Sequence, residues 1–396
     1  MVHICFAIHD EKGTYIKNLG VAICSVLENT TTKVQIHLLH DKTLCEDNKK
    51  KLENFVNQYC ATINFYEVNV SQFDYYKNMT GNFTIGTLFR IEIAKLLPLT
   101  VSKVIYLDSD IVANIDLYCL WHVDISDYML AGCLDMEISK RGNTWSCEHH
   151  IVKAKEYINA GVLLLNIKKI RENFDLEEEC FRFLKEYSSC ELSDQDAFNY
   201  VFRKSKLVLN EKYNLFTKVY KNKMLQQGIY HYAGDIVNFE EPQMIDEMFM
   251  ECLLKTPWGG ITELLNMYKN TMLNKRCQVE FYQNAIKLIQ QKEKKIIWGV
   301  NSIMFPFIID FIKFDKEKDY MVDTNDQLVG KSISGLTVYE PKNVLHEKGG
   351  NVLIIVLSIN YYNDISNILR KYGFKENYDY IDGRRFLLQS QGGYIV

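Results

Sequence analysis

Asp108 and Asp110 end an apolar run, Lys103-Val104-Ile105-Tyr106-Leu107, with one small residue, Ser109, between them. On an extended backbone residues i and i+2 point the same way, so the spacing predicts two carboxylates presented to one point. A hard divalent cation takes such a pair. Two other uses fit the same residues. Asp108 can act as a phosphotransferase nucleophile, since an acid at the end of an apolar strand in the pattern Asp-x-Asp-x-Val is placed for in-line attack. Alternatively, the two acids cap the turn after the strand.

Three further segments carry polar groups in unusual settings. In Tyr157-Ile158-Asn159-Ala160-Gly161-Val162-Leu163-Leu164-Leu165-Asn166, Asn159 offers a donor and an acceptor beside a glycine that permits close backbone approach. Leu192-Ser193-Asp194-Gln195-Asp196 opens a helix. Ser193 or Asp194 is a good N-cap there, but capping does not need all four polar residues. Ile229-Tyr230-His231-Tyr232-Ala233-Gly234 puts a histidine at a strand end, although a histidine in an aromatic setting is more often a core residue than a metal ligand.

These groups need elements to hold them. Strands are predicted over 2–8, 33–39, 61–68 and 103–107, with helices over 15–29, 47–59 and 89–97 between them. Such alternation gives an α/β fold with a mostly parallel sheet, whose ligands bind beyond the carboxyl ends of the strands. Asp108 and Asp110 fall at such an end. The pattern then becomes mixed, with short strands over 129–134, 160–166, 206–209 and 228–231 and helices over 176–187 and 194–203. After Trp258-Gly259-Gly260 a helical connector is predicted over roughly 261–292. A second, smaller α/β series follows, with strands over 295–298, 320–322, 335–339 and 352–358, a helix running to Phe311 and another over 364–372. The layout predicts two domains, 1–265 and 266–396, the second Rossmann-like. Gly299 stands where a glycine-rich nucleotide turn would be, but it stands alone, so a structural role is favoured for that domain.

Bulk composition narrows the classes. The chain has 396 residues, 47% hydrophobic and 24% charged, as in an ordinary globular protein. A net charge of −4 with interspersed signs gives no footprint for nucleic acid. The 11 cysteines are scattered singly. Cys5, Cys24, Cys119 and Cys133 sit in apolar runs, which predicts buried thiols in a reducing compartment. No apolar stretch reaches the length of a membrane span, and the N-terminus enters a strand without a signal core. A cytoplasmic location is expected, and the basic, aromatic C-terminal half leaves room for peripheral membrane association.

Taken in order, Tyr106-Leu107-Asp108-Ser109-Asp110, Asn159-Ala160-Gly161-Val162-Leu163-Leu164-Leu165-Asn166, Ser193-Asp194-Gln195-Asp196 and His231-Tyr232-Ala233-Gly234 resemble the family 8 glycosyltransferases, retaining enzymes of the GT-A (nucleotide-diphospho-sugar transferase) fold. The resemblance covers about residues 2–260. It implies that Asp108, Asp110 and His231 bind Mn²⁺ or Mg²⁺, which grips the diphosphate of a UDP-sugar, with Ser109 between the two acids. It implies that Ala7, Ile8, Thr14 and Tyr15 cradle uracil and ribose, with His9 or Asp10 standing in for the usual uracil-binding acid. Arg90 matches a donor-contacting arginine. Asp135, Asn159, Ala160, Asp194 and Gln195 match positions that read the donor sugar, Gln195 nearest the anomeric carbon. Gly234 belongs to the glycine of the histidine motif, whose usual lysine is replaced by Val237. Lys255-Thr256-Pro257-Trp258 comes later, at a distance that leaves its equivalence open.

The implied reaction is front-face transfer of galactose, or next glucose, from the UDP-sugar to a glycan or glycoprotein. Bacterial relatives with this two-part layout build lipopolysaccharide, capsular glycan or serine-rich adhesin glycans. The rival readings are the dehalogenase-like phosphotransferase and a degenerate sugar-binding subunit.

Overall fold

The computed structural model describes all residues except 80–83, 142–145, 147–151, 189, 191, 222, 240–241, 261–276, 278–279, 301–307, 309–311, 359–360 and 387–396. The chain forms two compact units, Met1–Asn266 and Met267–Val396.

The first unit is built on seven strands: β1 (Val2–Ile8), β2 (Val34–His40), β3 (Thr62–Glu67), β4 (Val104–Leu107), β6 (Leu130–Leu134), β7 (Ile158–Leu165) and β8 (Lys206–Val208), in the order β3-β2-β1-β4-β7-β6-β8. All neighbours are parallel except β7, which is antiparallel to both β4 and β6. β1, β4 and β7 lie in the middle. They read as almost unbroken apolar runs because both faces of the sheet are covered. Helices α1 (Ile16–Asn29) and α2 (Glu46–Asn57) join the first three strands, and α3 (Leu176–Glu186), α4 (Ser193–Val201) and α5 (Met244–Lys255) follow later.

A second, three-stranded sheet contains β5 (Ile111–Asn114), β10 (Gly228–His231) and β9 (Leu215–Phe216) in the order β5-β10-β9. β10 runs antiparallel to β5 with His231 opposite Ile111, and parallel to β9 with His231 opposite Phe216. Of its strands only β10 was predicted, over 228–231. Two of its strands are short, and β5 follows β4 after only three residues.

The helix predicted over 89–97 is mostly a 3₁₀ segment, Ile85–Glu92, with one α-helical turn at Ile93–Leu96. Thr84 and Thr87 disfavour α-helix. Gly86 also brings the backbone so close to His9 that a Cβ there would lie 2.8 Å from the His9 Cβ. The other predicted first-unit elements lie within a few residues of their expected positions, whereas α5 and the helices Met136–Arg141 and Ile167–Asn173 had no counterpart in the sequence reading. Of the four cysteines expected to be buried, Cys5, Cys24 and Cys133 are, but Cys119 is exposed on a short helical turn, Tyr118–Trp121. No helix among the described residues is long and apolar enough to cross a membrane.

The second unit carries β11 (Lys294–Trp298), β12 (Tyr320–Val322), β13 (Ser332–Ile333), β14 (Leu336–Tyr339), β15 (Val352–Val356) and β16 (Tyr380–Asp382), in the order β13-β14-β12-β11-β15-β16. All pairs are parallel except β13 with β14. Alternate residues feed two cores. Ile297, Leu353 and Ile355 enter one, while Ile296, Trp298 and Ile354 enter the other with α6 (Tyr362–Lys371). Two-sided burial is the signature of a doubly wound α/β sheet. Most of the predicted connector helix and the helix predicted to end at Phe311 lie outside the described residues.

Candidate functional site

β4 stops at Leu107, and Asp108-Ser109-Asp110 make a turn into β5. The two carboxylates therefore converge across a turn and not along a pleat, which corrects the sequence expectation. Ser109 closes the turn by donating from Oγ to the Ala7 carbonyl at 2.9 Å. The antiparallel partner strand β10 then delivers His231 beside Ile111, one residue past Asp110. His231 Nε2 lies 3.3 Å from Asp110 Oδ1 and 3.8 Å from Asp108 Oδ2. Ligand atoms from all three residues fall within 4.8 Å of one another.

The donor set fits a divalent cation. Two carboxylates and one imidazole suit Mn²⁺ or Mg²⁺, the imidazole favouring Mn²⁺. Gly161 keeps the space clear: a Cβ there would lie 2.2 Å from His231 Cε1 and 2.9 Å from Asp108 Oδ2. Its carbonyl holds the turn by accepting from the Asp108 amide at 2.8 Å.

The charged groups of this pocket act on one another. Burial pushes the Asp108 carboxyl upward, and the charge of Asp110 adds to the shift despite Arg90. For Asp110, burial acts upward too, but attraction to His231 outweighs it and holds the carboxyl below its ordinary range. Burial would lower His231, yet Asp110 and then Asp108 raise it. Tyr15, just ahead of α1, is part-exposed, yet desolvation of its hydroxyl first and the charges of Asp110 and Asp108 next push its pKa upward, which places it within their field.

Arg90 sits at the centre of the opposite wall. It donates to Asp108 Oδ1 at 2.8 Å and to the Ala160 carbonyl at 2.5 Å. Its Nε lies 3.1 Å from Asp194 Oδ2, and its guanidinium stacks 4.7 Å from the Tyr106 ring centre. The Tyr106 hydroxyl also donates to Asp108 Oδ1, at 3.0 Å. Burial, opposed by Arg90 and assisted by Asp108, lifts the Asp194 carboxyl to about 6.

A cluster of amides and one carboxylate adjoins this wall. Gln195 Oε1 accepts from Asn159 Nδ2 and from the Ala160 amide, each at 3.0 Å. Asp135 Oδ2 accepts from Asn159 and Gln195, each at 3.2 Å. Its Oδ1 accepts from the amides of Glu137 and Ile138, both at 3.1 Å, which fixes the carboxylate.

Helix α4 is not capped by Ser193 or Asp194, contrary to expectation: it starts at Ser193 without a side-chain cap from Leu192. Asp196 does the work from inside the helix, accepting from the Leu192 amide at 2.9 Å and from the Tyr157 hydroxyl at 2.8 Å. With the helix start held that way, Asp194 and Gln195 are left to face Arg90 and Asn159.

The other predicted residues reach this edge by chain position. Ala7 and Ile8 end β1, and Cys5 pairs with Tyr106, so Ala7 lies level with Asp108. Asp10 is spent on α1, accepting from the amides of Thr14 and Tyr15 at 2.8 Å and of Ile16 at 3.0 Å. His9 Nδ1 is 2.7 Å from Asp41. Gly234 follows His231 with a positive φ of 61°.

Lys255 pairs with Glu28 at 2.8 Å near the far end of α1, so it belongs to the opposite edge of the sheet. Val237 is buried. Lys218, which sequence reasoning missed, follows β9 and places Nζ 3.0 Å from where a Gly234 Cβ would be. Asn214 was also missed. Its only signal was an amide between Tyr213 and Leu215 in an apolar stretch.

The family model described as glycosyl transferase family 8 matches residues 3–236, more than half of the chain. The chain belongs to glycosyl transferase family 8. A Haemophilus influenzae relative is 27% identical over 201 residues, covering 50% of this chain and 60% of its own length. Among solved structures, the galactosyltransferase LgtC with donor and acceptor sugar analogues superposes with a TM-score of 0.58 at 23% identity, covering 66% of this chain and 98% of that one. The apo glycosyltransferase GlyE of Streptococcus pneumoniae gives 0.50 at 16% identity, covering 96% of this chain and 92% of that one. The family 8 chain thus has the GT-A fold, followed by a C-terminal α/β sheet.

Proposed function

We propose that this family 8 protein is a retaining hexosyltransferase that moves galactose, or next glucose, from a UDP-sugar to a glycan or glycoprotein acceptor. The supporting observation is the convergence of Asp108, Asp110 and His231 beside the wall formed by Arg90, Asp194, Asn159, Asp135 and Gln195. One cluster suits a cation on a diphosphate, and the other suits an array of sugar hydroxyls. In this reading residues 1–265 form the catalytic domain and 266–396 an add-on domain.

Asp108, Asp110 and His231 would hold Mn²⁺ or Mg²⁺, which when bound supplies positive charge to offset the departing diphosphate. Arg90 keeps Asp108 oriented by hydrogen bonding to its Oδ1. Ala7, Ile8, Thr14 and Tyr15 line the uracil and ribose end. Lys218 takes the role of the lysine missing at Val237, adding cationic charge beside Gly234 at the diphosphate end.

Asn159, Ala160, Asp135, Asp194 and Gln195 face the hexose, where carboxylate acceptors and amide groups can read hydroxyl orientation. Asp194 is paired with Arg90, and the amide of Gln195 is a poor nucleophile. Those commitments favour front-face attack, in which the acceptor hydroxyl approaches on the leaving-group side and gives its proton to the departing phosphate. The two-carboxylate route of retaining glycosidases does not map onto this wall.

The test is UDP release from a panel of UDP-hexoses with Mn²⁺, with and without mixed glycan acceptors. Release from UDP-galactose above the other donors supports the full reading. Release only from UDP-glucose overturns the donor preference. Release from none overturns the enzyme reading, and phosphatase turnover without a UDP-sugar supports the rival nucleophile Asp108.

A further inference from the structure

His231 can act as a ligand through Nε2 only if its other ring nitrogen carries the proton. The surroundings decide that matter through a chain of hydrogen bonds with one possible direction. Its fixed end is the Gly161 backbone amide, which can only donate, and which gives its proton to Asn159 Oδ1 at 2.9 Å. The Asn159 Nδ2 group faces Asp135 Oδ2 at 3.2 Å, so the orientation of this amide is set at both ends.

Asn159 Oδ1 also receives a second bond, from Asn214 Nδ2 at 2.8 Å. Asn214 must therefore turn its carbonyl oxygen the other way. That oxygen lies 3.0 Å from His231 Nδ1. An amide oxygen has no proton to give, so Nδ1 must be the donor. Nε2 is then the ring nitrogen that faces Asp108 and Asp110, at 3.8 and 3.3 Å, and the one whose lone pair a cation would take.

Burial makes this chain costly to misorient. Asn214 is fully buried, Asn159 is 8% exposed and His231 3%. A reversed Asn214 would set an NH₂ group against a ring N–H and an oxygen against an oxygen, in a buried setting where such clashes are costly. The backbone supplies the geometry: His231 is in register with Phe216, two residues past Asn214.

We infer that Asn214 is a positioning residue that fixes His231 as the Nδ1–H tautomer, so that Nε2 is available to a divalent cation. The inference rests on the cation-site reading given above. Asn214 also joins the cation site to Asn159, so one side chain serves both halves of the pocket.

Mn²⁺ alone is the probe, with binding read from the loss of the free-ion electron paramagnetic resonance signal, without donor or acceptor. Asn214→Leu keeps the shape and removes both bonds, and is expected to weaken Mn²⁺ binding by ~10–100-fold. Asn214→Asp keeps an acceptor for Nδ1–H and, with its other oxygen protonated in this buried acidic setting, a donor for Asn159 Oδ1, so it is expected to stay within about threefold of wild type. Loss of shape alone would not separate these two variants.

Equal binding by wild type and Asn214→Leu overturns the assignment while leaving the cation site standing. An Asn214→Asp variant that folds but loses binding tenfold or more (about 1.4 kcal/mol) also overturns it, and decides the matter if Asn214→Leu does not fold. A wild-type protein that leaves the Mn²⁺ signal unchanged overturns the cation-site reading, and this assignment with it.

Discussion

At the carboxyl edge of the first sheet, Asp108 and Asp110 face a shared point and a histidine. Acids around the second sheet are used differently. Asp323, just past β12, accepts from the Val300 amide at 2.7 Å and the Asn325 amide at 2.8 Å. Asp319, just before β12, accepts from the amides of Lys295 at 2.7 Å and Asp315 at 2.8 Å. Asp382, ending β16, is held by Arg384 through two side-chain bonds of 2.9 Å. Each of these carboxylates spends both oxygens on donors of its own fold.

Asp108 spends one oxygen on Arg90 and Tyr106 and aims the other at His231. Strand-end acids are thus common to both units. What marks a chemical site is a carboxylate oxygen on which a second carboxylate and an imidazole converge, with the cost of burial carried by its neighbours. Gly299 fits the same contrast. Its φ is 96°, and a Cβ there would lie 3.1 Å from the Ser358 amide nitrogen, so the turn is tight against the chain's own backbone.

The largest expected effect would break this contrast most directly. Asp110→Asn should lower Mn²⁺-dependent UDP-hexose turnover by at least ~100-fold with only a small change in melting temperature, because the lost attraction to His231 opposes the relieved repulsion from Asp108. A fall in melting temperature with retained turnover would place Asp110 among the structural acids. Gly161→Ala should be nearly as severe, because a methyl group would collide with His231. Mn²⁺ titration of that variant checks the clash, and unchanged affinity would mean that the site has slack.

Asp319→Ala should behave the opposite way. It should destabilise the second unit by about 1–3 kcal/mol, because two amides lose their acceptor, with turnover unchanged below the melting transition. Differential scanning calorimetry alongside the donor assay reads both quantities.

Glu92 is a third kind of acid, buried with Oε1 unpartnered among the described residues. Burial first, and the charge of Glu177 second, raise it from 4.5 to about 7. A raised carboxyl pKa means the folded state binds more protons, so stability falls as pH rises from 4.5 to about 7. Glu92→Gln should match wild type in stability near pH 4 and gain at most ~3 kcal/mol above pH 7. Denaturant melts at both pH values check this, and a gain independent of pH would show that the charge is not the cause.

The smallest effect is expected at Lys218. Lys218→Ala should weaken UDP-sugar binding by about 1 kcal/mol or less, because the site is partly open to solvent. An unchanged KM would remove Lys218 from the diphosphate end.

Much of the fold was legible because apolar periodicity reports burial directly. β1, β4 and β7 are apolar on both faces, and α1 shows its inward stripe through Leu19, Ala22, Ile23, Val26 and Leu27. The site was legible as four separate motifs. Their resemblance to one family supplied the association that spacing alone did not.

Other features left no local pattern to read. β5 and β9 are short, so periodicity does not resolve them. Asp196 holds the start of α4 from within it, whereas a sequence pattern looks for the cap in front.

By itself, then, the sequence determined which strands are central, that two acids follow β4, and which polar residues stand beside glycine or open a helix. These depend on local composition and on burial of each segment. The tertiary structure alone decided that Asp108 and Asp110 converge across a turn, that β10 pairs with β5 to bring His231 to them, and that Asn214 faces His231. The last two are contacts between residues 17 or more than 100 positions apart, and direction in a hydrogen-bond chain exists only once both ends are in place.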